Sequence, residues 1–230
     1  MNTPPILPPL LFLLFICQAV PLAASEILWS QYCQHGGVMK LLVHLDTDPT
    51  DTIEEEPETV TLWLRETTEE EWEQVDTQPI DSLTATSRFV RESWPRHTQT
   101  FFRVTWGDSS WEGIFRAEPE TGSVLKLGAL SCHKDIGWPW TEAIAELIAH
   151  DPDLLFFSGD QIYENDYGSP MFRALTKEDV PKGMKNYFEK WRKFGEAFGE
   201  LMRDRPTIMI TDDHDVFAND LWGNGGVRMR

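Results

Sequence analysis

The sequence predicts a two-part protein, an antiparallel β-sandwich of the fibronectin or immunoglobulin type over residues 26–118 followed by an α/β domain over residues 119–230. Two observations predict this division. Residues 26–118 contain short alternating segments and no convincing helical period, whereas the later part follows a strand, helix, strand pattern. About 205 residues follow the first 25, which is enough for two modest domains. We place the boundary between them at residues 119–122.

The amino-terminal segment is typical of an exported protein. Residues 6–24 are apolar apart from prolines and Gln18, and the small residues Ala23, Ala24 and Ser25 follow this run. This pattern predicts a secretory signal peptide over residues 1–25, and therefore a secreted or periplasmic protein. No Lys or Arg precedes the run, and its length is close to that of a membrane span. An uncleaved anchor is therefore the alternative, and it is the only membrane contact that we expect.

The charge of the chain excludes one class of partner. The formal net charge is -18 and the isoelectric point is about 4.6, so the phosphates of a nucleic acid would be repelled. Much of this charge is local, because twelve acidic residues and one Arg lie between Asp46 and Glu73. We interpret this run as an acidic surface loop that keeps the protein soluble. A calcium site is the alternative, but the alternating ligand spacing of a calcium loop is absent.

Alternating apolar residues predict the strands of the sandwich. Residues 38–45, 60–64 and 102–106 have this pattern. Residues 111–116 can pair with the last of these strands across a turn at residues 107–110. Together they indicate two packed antiparallel sheets.

In the α/β part, three apolar runs each stop at residues that can bind a metal ion or a proton. The run 124–130 is followed by Ser131, Cys132 and His133. The run 154–157 is followed by Gly159, Asp160 and Tyr163, and the run 206–211 is followed by Asp212, Asp213, His214 and Asp215. Such runs predict parallel strands buried on both faces, and ligands bind at the carboxyl ends of parallel strands. Taken singly, Asp160 could cap a turn and residues 212–215 could form an acidic turn. Taken together, the three strand ends favour a metal centre, with Gly159 permitting the sharp turn that projects Asp160.

Two helices are predicted between these strands. Thr141 can cap a helix over residues 142–150, within a right-handed β-α-β unit. Aromatic and aliphatic residues at helical spacing predict a second helix between Pro181 and Pro206, and we interpret its apolar stripe as core. Gly195 and Gly199 would allow this helix to approach another element closely.

The three strand ends resemble the motifs of the alkaline phosphatase D family within the calcineurin-like metallophosphatases. Residues 131–132 resemble the first motif, Asp-x-His, with Cys in place of Asp. Residues 159–163 resemble the second motif, Gly-Asp-x-x-Asp, with Tyr as the last residue. Residues 212–215 resemble the third motif, Gly-Asn-His-Asp, with Asp213 in place of Asn. The similarity continues through residues 217–223 and covers about residues 120–230. Relatives also carry a β-sandwich module before the catalytic domain.

The resemblance implies an exported hydrolase of phosphoric esters, of the alkaline phosphatase type, acting on a small phosphomonoester or phosphodiester through a metal-activated water. The implied metals are Fe³⁺ and Ca²⁺, with other divalent metals left open, and thiolate and phenolate suit a trivalent ion. The implied metal ligands are Cys132, Asp160, Tyr163 and Asp213, with Asp160 between two ions. His214 is the implied catalytic residue, which donates to the phosphate or protonates the leaving oxygen. Asn219 is a possible substrate contact, with loop capping as the alternative.

The cysteines and histidines leave alternatives open. Cys33 and Cys132 follow the predicted signal peptide, and in an oxidising compartment a disulfide between them is the default expectation. We favour Cys132 as a ligand because it occupies the position of the family motif. Relatives complete their metal shells with a downstream Gly-His-x-His motif, which the six histidines of this chain do not form. We therefore expect the amino-terminal portion of such an enzyme, with little or no hydrolysis by this chain alone, or alternatively an inactive relative that acts as a secreted interaction module.

Overall fold

The computed structural model describes residues 26–47, 58–173 and 175–216, and within these ranges it contains ten strands and three α-helices. The strands form two antiparallel sheets followed by one parallel sheet. The predicted signal peptide, the middle of the acidic run and Asn219 lie outside the described residues. None of the helices in these ranges is long and apolar enough to cross a membrane.

The amino-terminal part consists of seven antiparallel strands in two sheets. They are β1 (Ile27–His35), β2 (Val38–Leu45), β3 (Thr59–Arg65), β4 (Glu73–Pro79), β5 (Thr86–Glu92), β6 (Thr100–Trp106) and β7 (Ser109–Phe115). One sheet has the order β1-β2-β5 and the other has the order β4-β3-β6-β7. The four strands predicted from alternation correspond to β2, β3, β6 and β7. The turn between β6 and β7 is shorter than predicted, because Trp106 already pairs with Ser109.

A single hydrophobic core lies between these two sheets. Leu41 of β2 and Phe89 of β5 are buried in it, as are Leu62 of β3 and Phe102 of β6. Phe102 stacks on Phe115 of β7 with ring centroids 4.4 Å apart. Along β6, alternate residues are buried in this core and the residues between them are partly exposed, as expected for a sandwich of antiparallel sheets. The sandwich is therefore confirmed, and its assignment to the fibronectin or immunoglobulin type stays a prediction.

The carboxyl-terminal part is a three-stranded parallel sheet with two main helices. Its elements are β8 (Leu127–Leu130), α1 (Thr141–His150), β9 (Leu154–Phe157), α2 (Val180–Arg203), β10 (Thr207–Met209) and α3 (Asp213–Val216). The strand order is β10-β9-β8. Both predicted helices are present, but Thr141 does not cap α1: it is the first helical residue, and the residue before it, Trp140, occupies the capping position without a side-chain bond. Asp151 ends α1 in a left-handed conformation.

One face of the parallel sheet is covered and the other is largely open among the described residues. Leu155 and Phe157 of β9 are fully buried against both helices. On the other face Leu127 of β8 is 52% exposed and Ile208 of β10 is 44% exposed. The prediction that these strands are buried on both faces is therefore wrong for β8 and β10. The reason is that α1 and α2 both pack against the face of Leu155 and Phe157.

The sandwich packs against helix α2 through several residues, among them Trp29 and Trp111. Trp29 of β1 is 1% exposed and belongs to the core that contains Phe194 and Phe198 of α2. A Cβ atom added at Gly195 would overlap the indole ring of Trp29, and one added at Gly199 would lie 2.8 Å from its Cβ atom. The two glycines therefore permit a close approach of α2, as predicted, and the sandwich strand β1 is the element that it approaches.

Candidate metal centre

Three strand ends form the candidate site. Cys132 follows β8, Asp160 follows β9 and Asp213 begins α3 just after β10. Because the strands are parallel, their carboxyl ends meet at one edge of the sheet. Backbone hydrogen bonds join the first two ends: the Cys132 amide donates to the Gly159 carbonyl at 3.3 Å, and the His133 amide donates to the Asp160 carbonyl at 2.9 Å. The structure thus brings together the residues that the sequence placed at separate strand ends.

The turn after β9 has the conformation predicted from Gly159. Gly159 has a φ of +102°, and a Cβ atom there would lie 2.5 Å from the Cβ of Asp212. Glycine is required for both reasons. Asp160 has a φ of +55°, which is uncommon for a residue with a side chain and is seen most often where the surroundings hold it in place. The turn directs the Asp160 carboxylate inward, where the residue is 8% exposed.

The Asp160 carboxylate is the centre of the cluster. Ligand atoms of Asp160, Asp213 and His214 all lie within 4.8 Å of one another. Oδ2 of Asp160 accepts a hydrogen bond from the Tyr163 hydroxyl at 2.9 Å. Oδ1 is buried and has no hydrogen-bond partner among the described residues. A buried carboxylate oxygen without a partner is costly, and a cation would satisfy it, so these residues fit a metal ion.

Cys132 and Tyr163 both lie beside Asp160. The Cys132 sulfur is 3.8 Å from Oδ2 of Asp160, and neither Cys132 nor Cys33 forms a disulfide. Cys132 is exposed and does not belong to the close group of Asp160, Asp213 and His214. Burial raises the pKa of Tyr163, and its hydrogen bond to the Asp160 carboxylate raises that pKa further. Tyr163 is therefore a neutral phenol that donates to Asp160. The ligand roles of Cys132 and Tyr163 stay predictions.

His214 has a carboxylate partner that the sequence analysis did not identify. Its Nδ1 atom lies 2.7 Å from Oε2 of Glu164, and its ring lies 4.1 Å from the ring of Tyr163. In the tautomer with the proton on Nδ1, His214 donates to Glu164 and Nε2 remains for other partners. Glu164 is adjacent to Tyr163 in the second motif, but nothing in the sequence shows that this acid reaches a histidine fifty residues later.

The sequence analysis also did not identify Lys134, which lies beside the candidate site. Lys134 pairs with the buried carboxylate of Asp166 at 2.6 Å and donates to the Asn165 side chain at 2.7 Å. The other oxygen of Asp166 accepts the Tyr163 amide at 3.0 Å. Lys134 follows β8, whereas Tyr163 and Asp166 follow β9. This ion pair therefore joins two of the three strand ends, and it places a positive charge 4.8 Å from the Tyr163 ring.

The candidate centre lies at an edge of the part of the chain that the structure describes. Cys132 and Asp212 are both exposed there. A separate cleft of about 240 Å³ lies where the sandwich contacts α2, and it is lined in part by Trp29, His44 and Trp191. None of the four predicted metal ligands lines that cleft. This cleft and the cluster of ligand-type residues are therefore different places.

Comparison with solved structures shows a fold shared with phosphatases. The chain is similar to a structure described as that of PhoD, with a TM-score of 0.67 and 16% identity over 84% of this chain and 40% of that chain. It is also similar to the purple acid phosphatase PPD1 from seeds of yellow lupin (Lupinus luteus), with a TM-score of 0.51 and 10% identity over 85% of this chain and 36% of that one. The chain thus spans less than half the length of either structure. No curated protein matches the sequence.

The α/β part matches the model of a known family. Residues 127–229 match the model of the family described as PhoD-like phosphatase. This match confirms the resemblance drawn from the three strand-end motifs. The match covers all of those motifs, from Cys132 to His214.

Proposed function

We propose that the α/β part carries metal ligands and the proton donor of an exported phosphoester hydrolase of the alkaline phosphatase D type. The observation that carries this proposal is the buried Oδ1 of Asp160, which has no hydrogen-bond partner among the described residues and lies beside Asp213 and His214. The match of residues 127–229 to the model of a phosphatase family supports it. A second support is that the cluster is held on parallel strand ends, which is where sheets of this kind bind ligands.

The proposed ligands are Cys132, Asp160, Tyr163 and Asp213, and Fe³⁺ with Ca²⁺ are the proposed metals. When bound, the metal ions would neutralise phosphate oxygens and lower the pKa of a water molecule. Asp160 is suited to a position between two ions, because Oδ1 has no hydrogen-bond partner among the described residues while Oδ2 faces Tyr163. Tyr163 and Cys132 both approach that second oxygen, which places a phenol and a thiol beside one carboxylate.

His214 is the proposed proton donor. Its Nδ1–H bond to Glu164 fixes the ring orientation and the tautomer. When the ring carries a second proton, on Nε2, that nitrogen is the atom that donates to the phosphate or to the leaving oxygen. Asn219 is proposed as a further polar contact with the substrate.

We propose a small phosphoester as the substrate. We also propose two domains, the sandwich over residues 26–118 and the catalytic domain over residues 119–230. The sandwich is proposed to be of the fibronectin or immunoglobulin type, on the strength of a three-stranded and a four-stranded antiparallel sheet. The strong negative charge of the chain favours a small substrate over a nucleic acid.

The proposal is tested by phosphate binding and hydrolysis after the purified chain is supplied with Fe³⁺ and Ca²⁺. We expect metal-dependent binding of inorganic phosphate, with low hydrolysis of chromogenic phosphomonoesters and phosphodiesters because the described donors do not fill the shells of two ions. His214→Ala should leave the metal content nearly unchanged and should lower any measurable turnover by roughly 10²- to 10⁴-fold, the scale of a proton-transfer group.

Two results would contradict the proposal. A metal-loaded chain that neither binds phosphate nor hydrolyses either ester would remove the phosphoesterase assignment. A His214→Ala variant that loses its metal would make His214 a ligand instead of the proton donor, a possibility raised by its ring nitrogen lying within the close group of ligand atoms.

A further inference from the structure

Asp215 makes an unusual set of contacts for an acidic residue beside a metal centre. Its Oδ2 atom accepts the backbone amides of Asp160 at 2.8 Å and of Asp212 at 3.0 Å. Its Oδ1 atom accepts the amides of Gln161 at 2.8 Å and of Ile162 at 3.2 Å. Asp215 is 7% exposed, so these four backbone donors replace water around the carboxylate.

These contacts exclude Asp215 from the ligand set. A carboxylate offers about four acceptor positions, and the four amides occupy them. Asp160 is the opposite case, since one of its oxygens is buried and has no partner among the described residues. The two aspartates of this site therefore differ in role. Asp160 offers a carboxylate oxygen to a metal ion, whereas Asp215 accepts hydrogen bonds from backbone amides.

The amides that Asp215 binds belong to two different strand ends. Residues 160–162 follow β9, and Asp212 follows β10. The two loops are in contact, because Gly159 has no room for a Cβ atom beside Asp212. The Asp160 backbone is also held in the left-handed region, which persists only where the surroundings fix it. A buried anion that accepts bonds from both loops provides that restraint.

We propose that Asp215 is a positioning residue that holds the Asp160 loop and the Asp212–His214 loop together, and so sets the separation of Asp160 from Asp213 before a metal ion binds. This inference rests on the proposed metal centre. Groups that orient metal ligands typically change metal affinity by about 10- to 100-fold when they are replaced. Asp215 acts on the backbone of the ligand residue itself, through the Asp160 amide.

The first test measures the loops without any metal. Asp215→Asn replaces one acceptor oxygen by an NH₂ group, which would face two amide donors and cannot accept from them. We expect faster hydrogen exchange at the amides of Asp160, Gln161, Ile162 and Asp212 together. The matched control is Asp153→Asn, because Asp153 also accepts a backbone amide, that of Lys126 at 2.8 Å, at the opposite end of the same sheet. The control should leave the exchange of the four amides unchanged.

The second test measures metal affinity with Mn²⁺ as the probe, followed by the electron paramagnetic resonance signal of the free ion. We expect Asp215→Asn to weaken Mn²⁺ binding by about 10- to 100-fold. Asp153→Asn should bind Mn²⁺ as the wild type does. Both variants are measured well below their melting temperatures, so that a general loss of stability does not account for the difference.

The outcomes separate this inference from the proposed function. Unchanged exchange at either loop, or unchanged Mn²⁺ affinity in Asp215→Asn, would overturn the positioning role. If the wild-type chain binds no Mn²⁺, the proposed metal centre fails together with the metal part of this inference. In that case the exchange measurement still decides whether Asp215 joins the two loops.

Discussion

The sandwich and the α/β part achieve burial in different ways. The core of the sandwich consists of its own residues, with Leu41, Phe89 and Phe102 enclosed between two sheets. The core of the α/β part includes Trp29, which belongs to the sandwich, and one face of its sheet is largely open among the described residues. The comparison teaches that the sandwich is self-contained, whereas the part with the candidate metal centre depends on its neighbour.

Separate expression of the two parts should give the largest effect. We expect residues 26–118 to fold alone and unfold cooperatively, since both sheets and the core between them are present. Residues 119–230 should not fold alone, because they lose Trp29 and keep an exposed parallel sheet. Circular dichroism and thermal unfolding of each fragment check this. A soluble fragment 119–230 that unfolds cooperatively would contradict the dependence of the α/β part on the sandwich.

Gly195→Ala should damage the contact between the two parts. The added methyl group would overlap the indole of Trp29, which cannot move aside because it is stacked on His44 at 3.7 Å. Such overpacking costs about 1–3 kcal/mol, against about 1 kcal/mol gained in helix propensity, so we expect a net loss of up to about 2 kcal/mol.

Chemical denaturation of the whole chain measures the effect of this substitution. Glu196→Ala is the matched control, because it changes the next residue of α2 and removes only an exposed pair with Lys193. Equal stability of the Gly195→Ala variant and the wild type would show that α2 and Trp29 are not closely packed.

Acid pH should weaken the same contact through His44. Burial lowers the pKa of His44 from 6.5 to about 3. The unfolded chain therefore binds a proton as the pH falls below about 6.5, while the folded chain does not, so stability decreases from that pH down towards pH 3. The slope from this residue approaches about 1.4 kcal/mol per pH unit.

His44→Phe isolates that contribution to the pH dependence. Phenylalanine keeps a flat ring against Trp29 and cannot be protonated. Stability measured at several pH values between 7 and about 4 should therefore fall less steeply in the variant than in the wild type. Identical slopes would mean that His44 does not titrate in this range.

The sequence predicted the parts of the molecule that depend on local pattern. The bounds of β2 were predicted to the residue, because its alternation is regular. The strands β1, β4 and β5 were not predicted. β4 lies at a sheet edge and has little buried surface, so its sequence, EQVDTQP, carries almost no hydrophobic alternation. The three strand-end motifs were identified because each directly follows an apolar run.

The remaining features of the site depend on contacts between distant residues. Glu164 reaches His214, and Asp215 reaches the amides of residues 160–162, in each case across about fifty positions. No local pattern encodes these pairs, since they form only when β9 and β10 lie side by side. The exposure of Ile208 has a similar cause, because an apolar strand residue is buried only if another element covers its face.

The most direct test of the central claim is Mn²⁺ uptake by the wild-type chain and by Asp160→Asn. The substitution keeps the size of the side chain but removes its charge and one anionic oxygen at the centre of the cluster. We predict that the wild type binds Mn²⁺, that Asp153→Asn binds it equally, and that Asp160→Asn loses the binding. Equal uptake by the wild type and Asp160→Asn, or no uptake by the wild type, would contradict a metal centre at the end of β9.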